Sequence, residues 1–219
     1  MKKTTTPPEE RRLTDETINS STKPRKERKD NADRRRRQLL DATRRSIIEH
    51  GLAKTTLATV AAEAGLSQGV AVFYFKSKNG LLVETLRAHY QFYADTWRAA
   101  LDTAGPDPRD RLMALIAADF SPEVCSPESL SLWFAFWGEQ TFVPQYAAIC
   151  REFDTDRSGA IREICGALMQ DAEEQKVKQV AQWIDTLTDG FWQNLHLQPN
   201  RMTPAQCLES TRAMIDALI

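Results

Sequence analysis

With three histidines in 219 residues, the chain has little imidazole chemistry available. His50, His89 and His196 fall in unrelated segments. No Gly-rich phosphate loop, metal-spaced ligand set or nucleophile motif accompanies them, which excludes the common designs of an enzyme. No catalytic residue, metal or cofactor is therefore expected. Long apolar runs are missing too, since none reaches the roughly 18 residues needed to span a bilayer. The opening MKKTTTPPEERR has no apolar signal region, so a cytoplasmic protein with no membrane partner is expected. The four cysteines lie far apart without a C-x-x-C pair and read as structural thiols, with a redox switch or metal site as the other reading. Strand-type alternation is absent as well. The fold class that remains is all-α, with about nine helices.

What the chain does have is segregated charge. Residues 1–90 carry 19 Lys and Arg against 11 Asp and Glu, while residues 91–219 carry 10 against 19. One basic end suits a polyanion and one acidic end is kept off it. The first 33 residues are too poor in apolar side chains to fold alone and read as a disordered basic arm leading into Arg34-Arg35-Arg36-Arg37. Such an arm is either a solubilising tail or a segment that reaches the DNA backbone or the minor groove.

Residues 55–82 read as a helix-turn-helix. Leu57, Val60, Ala61 and Ala64 recur at helical spacing from Thr56 to Ala64, and Gly65 ends that helix. Ser67 caps a second helix from Gln68 to about Phe75. If Ala71 and Phe75 face inward, Gln68, Val70, Val72 and Phe73 face outward. An outward apolar set is odd for a solvated surface and natural in a major groove, where apolar groups meet thymine methyls and Gln pairs with adenine. Upstream, Leu39, Leu40, Ala42, Ile47 and Ile48 form an apolar stripe on a helix ending near His50-Gly51. Downstream, Tyr74, Lys76 and Lys78 form a backbone-gripping cluster.

Over residues 34–82 the chain resembles the TetR family of bacterial one-component repressors. The resemblance runs through Leu39-Leu40-Asp41-Ala42, Gly51, Thr55-Thr56, Val60-Ala61, Gly65-Leu66-Ser67, Gly69, Tyr74-Phe75, Ser77-Lys78 and Leu81-Leu82. It implies that Thr56, Tyr74 and Lys78 grip phosphates and that Gln68, Gly69, Val70 and Phe73 approach bases. An aromatic is common in the family where this chain has Val72.

Residues 83–219 are expected to form the ligand-binding and dimerisation body. A long helix should run from about Lys78 to Thr103, with Leu81, Leu82, Leu86, Tyr90, Tyr93 and Trp97 inward. A helix over about 144–172 is expected to be disturbed at Ser158-Gly159. The last two helices carry Val177, Val180, Ile184, Leu187 and Phe191, then Leu208, Met214, Ile215 and Leu218. These stripes either close the core or form a dimer face. Reading a palindrome requires two heads roughly 34–36 Å apart, and the family resemblance implies a homodimer joined by these helices.

Residues 132–137, Leu-Trp-Phe-Ala-Phe-Trp, put Trp133, Phe136 and Trp137 on one helical face, and Asp189 shares a face with Trp192. The set is either core or a cage of aromatic faces beside a carboxylate, suited to a quaternary ammonium. Through Trp133 to Trp137, Pro144-x-Tyr146, Arg157 and Asp189 to Trp192, this region is similar to the choline-sensing BetI branch. That similarity implies a repressor released from double-stranded, palindromic operator DNA by a small-molecule inducer, choline or a related quaternary amine. A regulator of an unrelated operon with another inducer, or an activator, is the alternative.

Overall fold

The computed structural model describes residues 25–219, which are helical throughout their regular structure. Among them are nine helices: α1 (Arg25–Lys54), α2 (Leu57–Glu63), α3 (Gln68–Phe75), α4 (Lys78–Thr103), α5 (Pro108–Asp119), α6 (Pro127–Glu139), α7 (Pro144–Leu168), α8 (Glu174–Leu197) and α9 (Pro204–Leu218). The contacts divide the chain between Arg35 and Arg36. On the near side, residues 25–35 are helix, with Arg34 donating to Asn31 at 2.7 Å. Residues 1–24 of the expected arm lie outside the described residues. Residues 25–33 differ from that expectation because Lys, Arg, Glu and Ala favour helix and need only propagate it.

Beyond Arg36, Leu39, Leu40 and Ala42 pack with Val60, Ala61, Ala71, Phe75 and Leu81 into a small core. Ile47 belongs instead to the large core, and Ile48 stays exposed. Gly51 interrupts α1 at φ 78°, ψ 166°, a conformation reserved for glycine. Thr56 caps α2 through a reciprocal bond pair with Thr59. The α3–α4 turn is tight. Lys76 takes φ 65°, Ser77 N–H donates to the Phe75 carbonyl at 2.7 Å, and a Cβ on Gly80 would fall 2.2 Å from that oxygen. Only glycine fits there.

The large core is built on α4, whose Leu82, Leu86, Tyr90, Tyr93 and Trp97 are all buried, with α5 and α7 packed along it. Helix α7 runs unbroken past Ser158-Gly159, contrary to expectation, and the Ser158 hydroxyl donates to Asp185 at 2.7 Å rather than competing for its own backbone. Thr203 and Gln206 form a capping box ahead of Pro204, which opens α9. All four cysteines are buried free thiols, and burial pushes Cys125 up to about 12 and Cys165 up to about 11. Thiols held so far from ionisation are poor nucleophiles.

Candidate functional site

On α3, Ala71 and Phe75 face the small core at 0 % and 4 % exposure, while Phe73 is 68 % exposed and Val72 41 %. Gln68 and Gly69 are exposed beside them. Val70 does not look fully outward as the helical count suggested. It is half-buried and packs against the small core. Tyr74 is also half-buried and meets Phe73 edge-on at 5.2 Å. Lys76 Nζ donates to the Phe73 carbonyl at 2.8 Å and lies 5.3 Å from its ring. Thr56 is spent on capping α2, and Lys78 Nζ donates to the Ala53 carbonyl at the end of α1, at 2.8 Å. Lys78 therefore caps a helix C-terminus as well as standing next to the reading helix.

The second site is a cavity of about 150 Å³ between α4, α6, α7 and α8. Trp133, Trp137 and Trp192 form one wall. Trp192 stacks on Trp133 at 5.8 Å and on Trp137 at 6.4 Å between ring centres. Phe136, expected in the same wall, is fully buried and meets Tyr146 edge-on at 5.1 Å. Two residues three apart on a helix lie about 60° apart, and that offset turns Phe136 into the core while Trp133 and Trp137 keep the cavity. Tyr90 and Tyr93 add two further rings from α4.

The polar side of the cavity is mostly self-satisfied. Asp119 is completely buried and accepts from Tyr93 Oη at 2.6 Å and from Arg157. Arg157 also donates to Asp185. The Trp192 indole N–H donates to the Asp119 backbone carbonyl at 3.0 Å, fixing that wall to α5. Burial opposes charge on Arg157, but the carboxylates of Asp119 and Asp185 outweigh it and hold the guanidinium ionised. Asp154 and Asp189 are different. Both line the cavity, both keep accessible surface, and neither makes an ion pair with a described residue. Desolvation pushes both carboxyls up to about 6 against the pull of Arg157, with Asp189 and Asp185 adding to it for Asp154, and Asp185 and Asp119 for Asp189.

A third feature is an apolar groove between α8 and α9 lined by Trp183, Leu187, Phe191 and Met214. Val177, Val180, Ile184 and Ile215 of the two sequence stripes are already core within the protomer.

Residues 39–85 match the family described as bacterial regulatory proteins, tetR family. Residues 108–219 match the BetI-type transcriptional repressor C-terminal family. The HTH-type transcriptional regulator BetI of Burkholderia cenocepacia is 34 % identical over 188 residues, covering 84 % of this chain and 94 % of that protein. The chain belongs to the TetR family. The BetI regulator of Paraburkholderia xenovorans is 32 % identical over the same share of this TetR-family chain and 93 % of its own. A transcriptional regulator from Pseudomonas aeruginosa superposes with TM-score 0.78 at 27 % identity, covering 85 % of this chain and 90 % of that one. One from Saccharomonospora viridis, in complex with choline, superposes with TM-score 0.75 at 21 % identity, covering 84 % and 96 %.

As a TetR-family protein with a BetI-type body, this is a DNA-binding transcriptional regulator of the repressor type. Regulators of the family bind operator DNA and act as dimers. No described helix is long and apolar enough to cross a membrane. In this TetR-family chain, Trp133, Trp137, Asp189 and Trp192 do converge on one cavity. Tyr90, Tyr93, Asp154, Arg157, Ser158 and Asp185 join them, unexpected from sequence as lining. The spacing Asp154, Arg157, Ser158 and Asp185, Asp189, each at i, i+3 or i+4, was a readable signal that two facing helix stripes were polar.

Proposed function

We propose that this regulator reads a palindromic operator with α3 and lets it go when a small permanent cation, of the quaternary-amine class to which choline belongs, fills the aromatic cavity. The observation that carries the ligand class is the pairing of Trp133, Trp137 and Trp192 with two carboxylates, Asp154 and Asp189, that have no cation of their own. Aromatic faces attract a desolvated cation by about 2 kcal/mol or more. A cavity of about 150 Å³ admits a ligand of benzene-like size, which excludes long lipids. That a regulator of the same fold holds choline supports the class.

Residues 34–82 serve as the reading head and 83–219 as the ligand-binding body. Gln68, Gly69, Val72 and Phe73 meet base edges, with Val70 packing at the rim. Thr56, Tyr74 and Lys78 grip phosphates. A second copy covers the α8–α9 groove and sets the spacing of the two heads. Binding of DNA upstream of the chain's own gene, followed by gel shift over a range of salt, tests the head. Phe73→Ala and Gln68→Ala are expected to lower affinity for that DNA and leave unrelated DNA bound as before. Lys78→Ala should weaken both and reduce the salt slope by about one ion. An unchanged affinity for Lys78→Ala at every salt concentration would remove it from the phosphate-gripping set.

A further inference from the structure

We infer that Asp154 and Asp189 act as one specificity-determining pair that holds either a proton or the cationic ligand, so that ligand entry expels a proton and acid competes with the ligand. The inference rests on the cation reading of the cavity.

Two carboxylates at one small cavity with no basic partner cannot both ionise freely, because ionised Asp189 raises the cost of charge on Asp154 and Asp185 raises it for both. The groups facing them come from four helices. Tyr90 and Tyr93 stand on α4, Asp119 at the end of α5, Arg157 and Ser158 on α7, and Asp185 on α8. Helix α6 offers only Trp133 and Trp137. Arg157 is the one positive charge among them, and Asp119 and Asp185 already occupy its two terminal nitrogens. It therefore attracts Asp154 and Asp189 from a distance without pairing with either. Neither Asp154 nor Asp189 makes an ion pair with a described residue, and the Tyr90 hydroxyl only partly offsets the rise at Asp154. The titration of both near 6 agrees with this geometry. A permanent cation placed between the two carboxylates supplies the missing charge, and the shared proton leaves to solvent. A ligand with its own carboxylate would bring back the repulsion that the proton relieved.

Calorimetric titration of choline chloride into the full-length protein, in two buffers of different ionisation enthalpy, counts the protons directly. Near pH 6 the apparent enthalpy should depend on the buffer, showing net release. The Kd should rise about ten-fold from pH 7 to pH 5, as linkage requires when the pair as a unit gives up one proton near pH 6. In Asp189→Asn, binding should be weaker at pH 8, and the same acid step should shrink to about three-fold or less, because the Asp189 charge helps to raise Asp154. Circular dichroism at each pH separates loss of fold from loss of binding, and Asp154→Asn serves as the second variant should the first fail to fold. Choline binding with a flat Kd and no buffer dependence would overturn the proton exchange while leaving the cation reading standing. No choline binding at any pH would overturn both.

Discussion

Leu187→Asp or Met214→Asp should yield monomers that bind operator at least about 100-fold more weakly than the wild type. Both side chains line the α8–α9 groove and are half-buried in the protomer, so each variant keeps its own core. In the dimer the new carboxylate would be an unpaired buried ion, which costs about 3–5 kcal/mol, and each 1.4 kcal/mol is roughly tenfold in affinity. Losing the dimer loses the second head, and with it the avidity of two half-sites. Light scattering at micromolar concentration gives the mass, and gel shift gives the affinity. Dimers of wild-type affinity from either variant would place the interface elsewhere. Ile215 is not a suitable probe, since at 1 % exposure it belongs to the protomer core and a charge there would unfold the chain.

Arg157→Leu should cost about 3–5 kcal/mol, because it leaves the completely buried Asp119 without its cation. For a chain of this size that corresponds to a Tm lower by about 6–20 °C. The sign with pH follows. Burial already holds the folded Asp119 carboxyl above the unfolded value of about 4 despite Arg157, and losing that cation raises it further, so in the variant stability is fully present below the unfolded value and lost as pH rises through the folded one. The gap between variant and wild type should therefore be widest at pH 8 and narrow toward pH 4. Replacing Asp119 as well, in Asp119→Asn/Arg157→Leu, should restore part of the loss. Melting temperatures within about 2 °C of each other at pH 8 would show that folded Asp119 does not depend on the Arg157 charge.

The helices were legible because their signals are local. Ser126-Pro127 and Thr203-Pro204 mark starts, and the α4 stripe from Leu81 to Trp97 faces one way at one period. The reading face of α3 was legible for the same reason, since only Ala71 and Phe75 could face inward on so short a helix. Val70 escaped because its burial depends on how the small core closes around α3. The cavity was half legible. Its tryptophans stand out by their rarity, but Phe136 looked equivalent until Tyr146 of α7 was placed against it. Asp119, Asp154 and Asp185 come from three helices far apart in sequence, and nothing local says that Arg157 binds two of them and leaves Asp154 unpaired. Reading long-range polar networks requires the packed fold.

Choline titrated into a complex of the wild-type dimer with labelled upstream DNA tests the central claim most directly. Ligand can release operator only by preferring the non-binding state, and operator must then weaken choline binding by the same factor. Release is expected as choline rises through the concentration that quenches tryptophan fluorescence, with Trp137→Ala requiring at least about ten-fold more ligand, the loss of one cation–π face. A complex that stays intact at millimolar choline, with fluorescence unchanged, would contradict the account and leave the aromatic cavity without its proposed ligand.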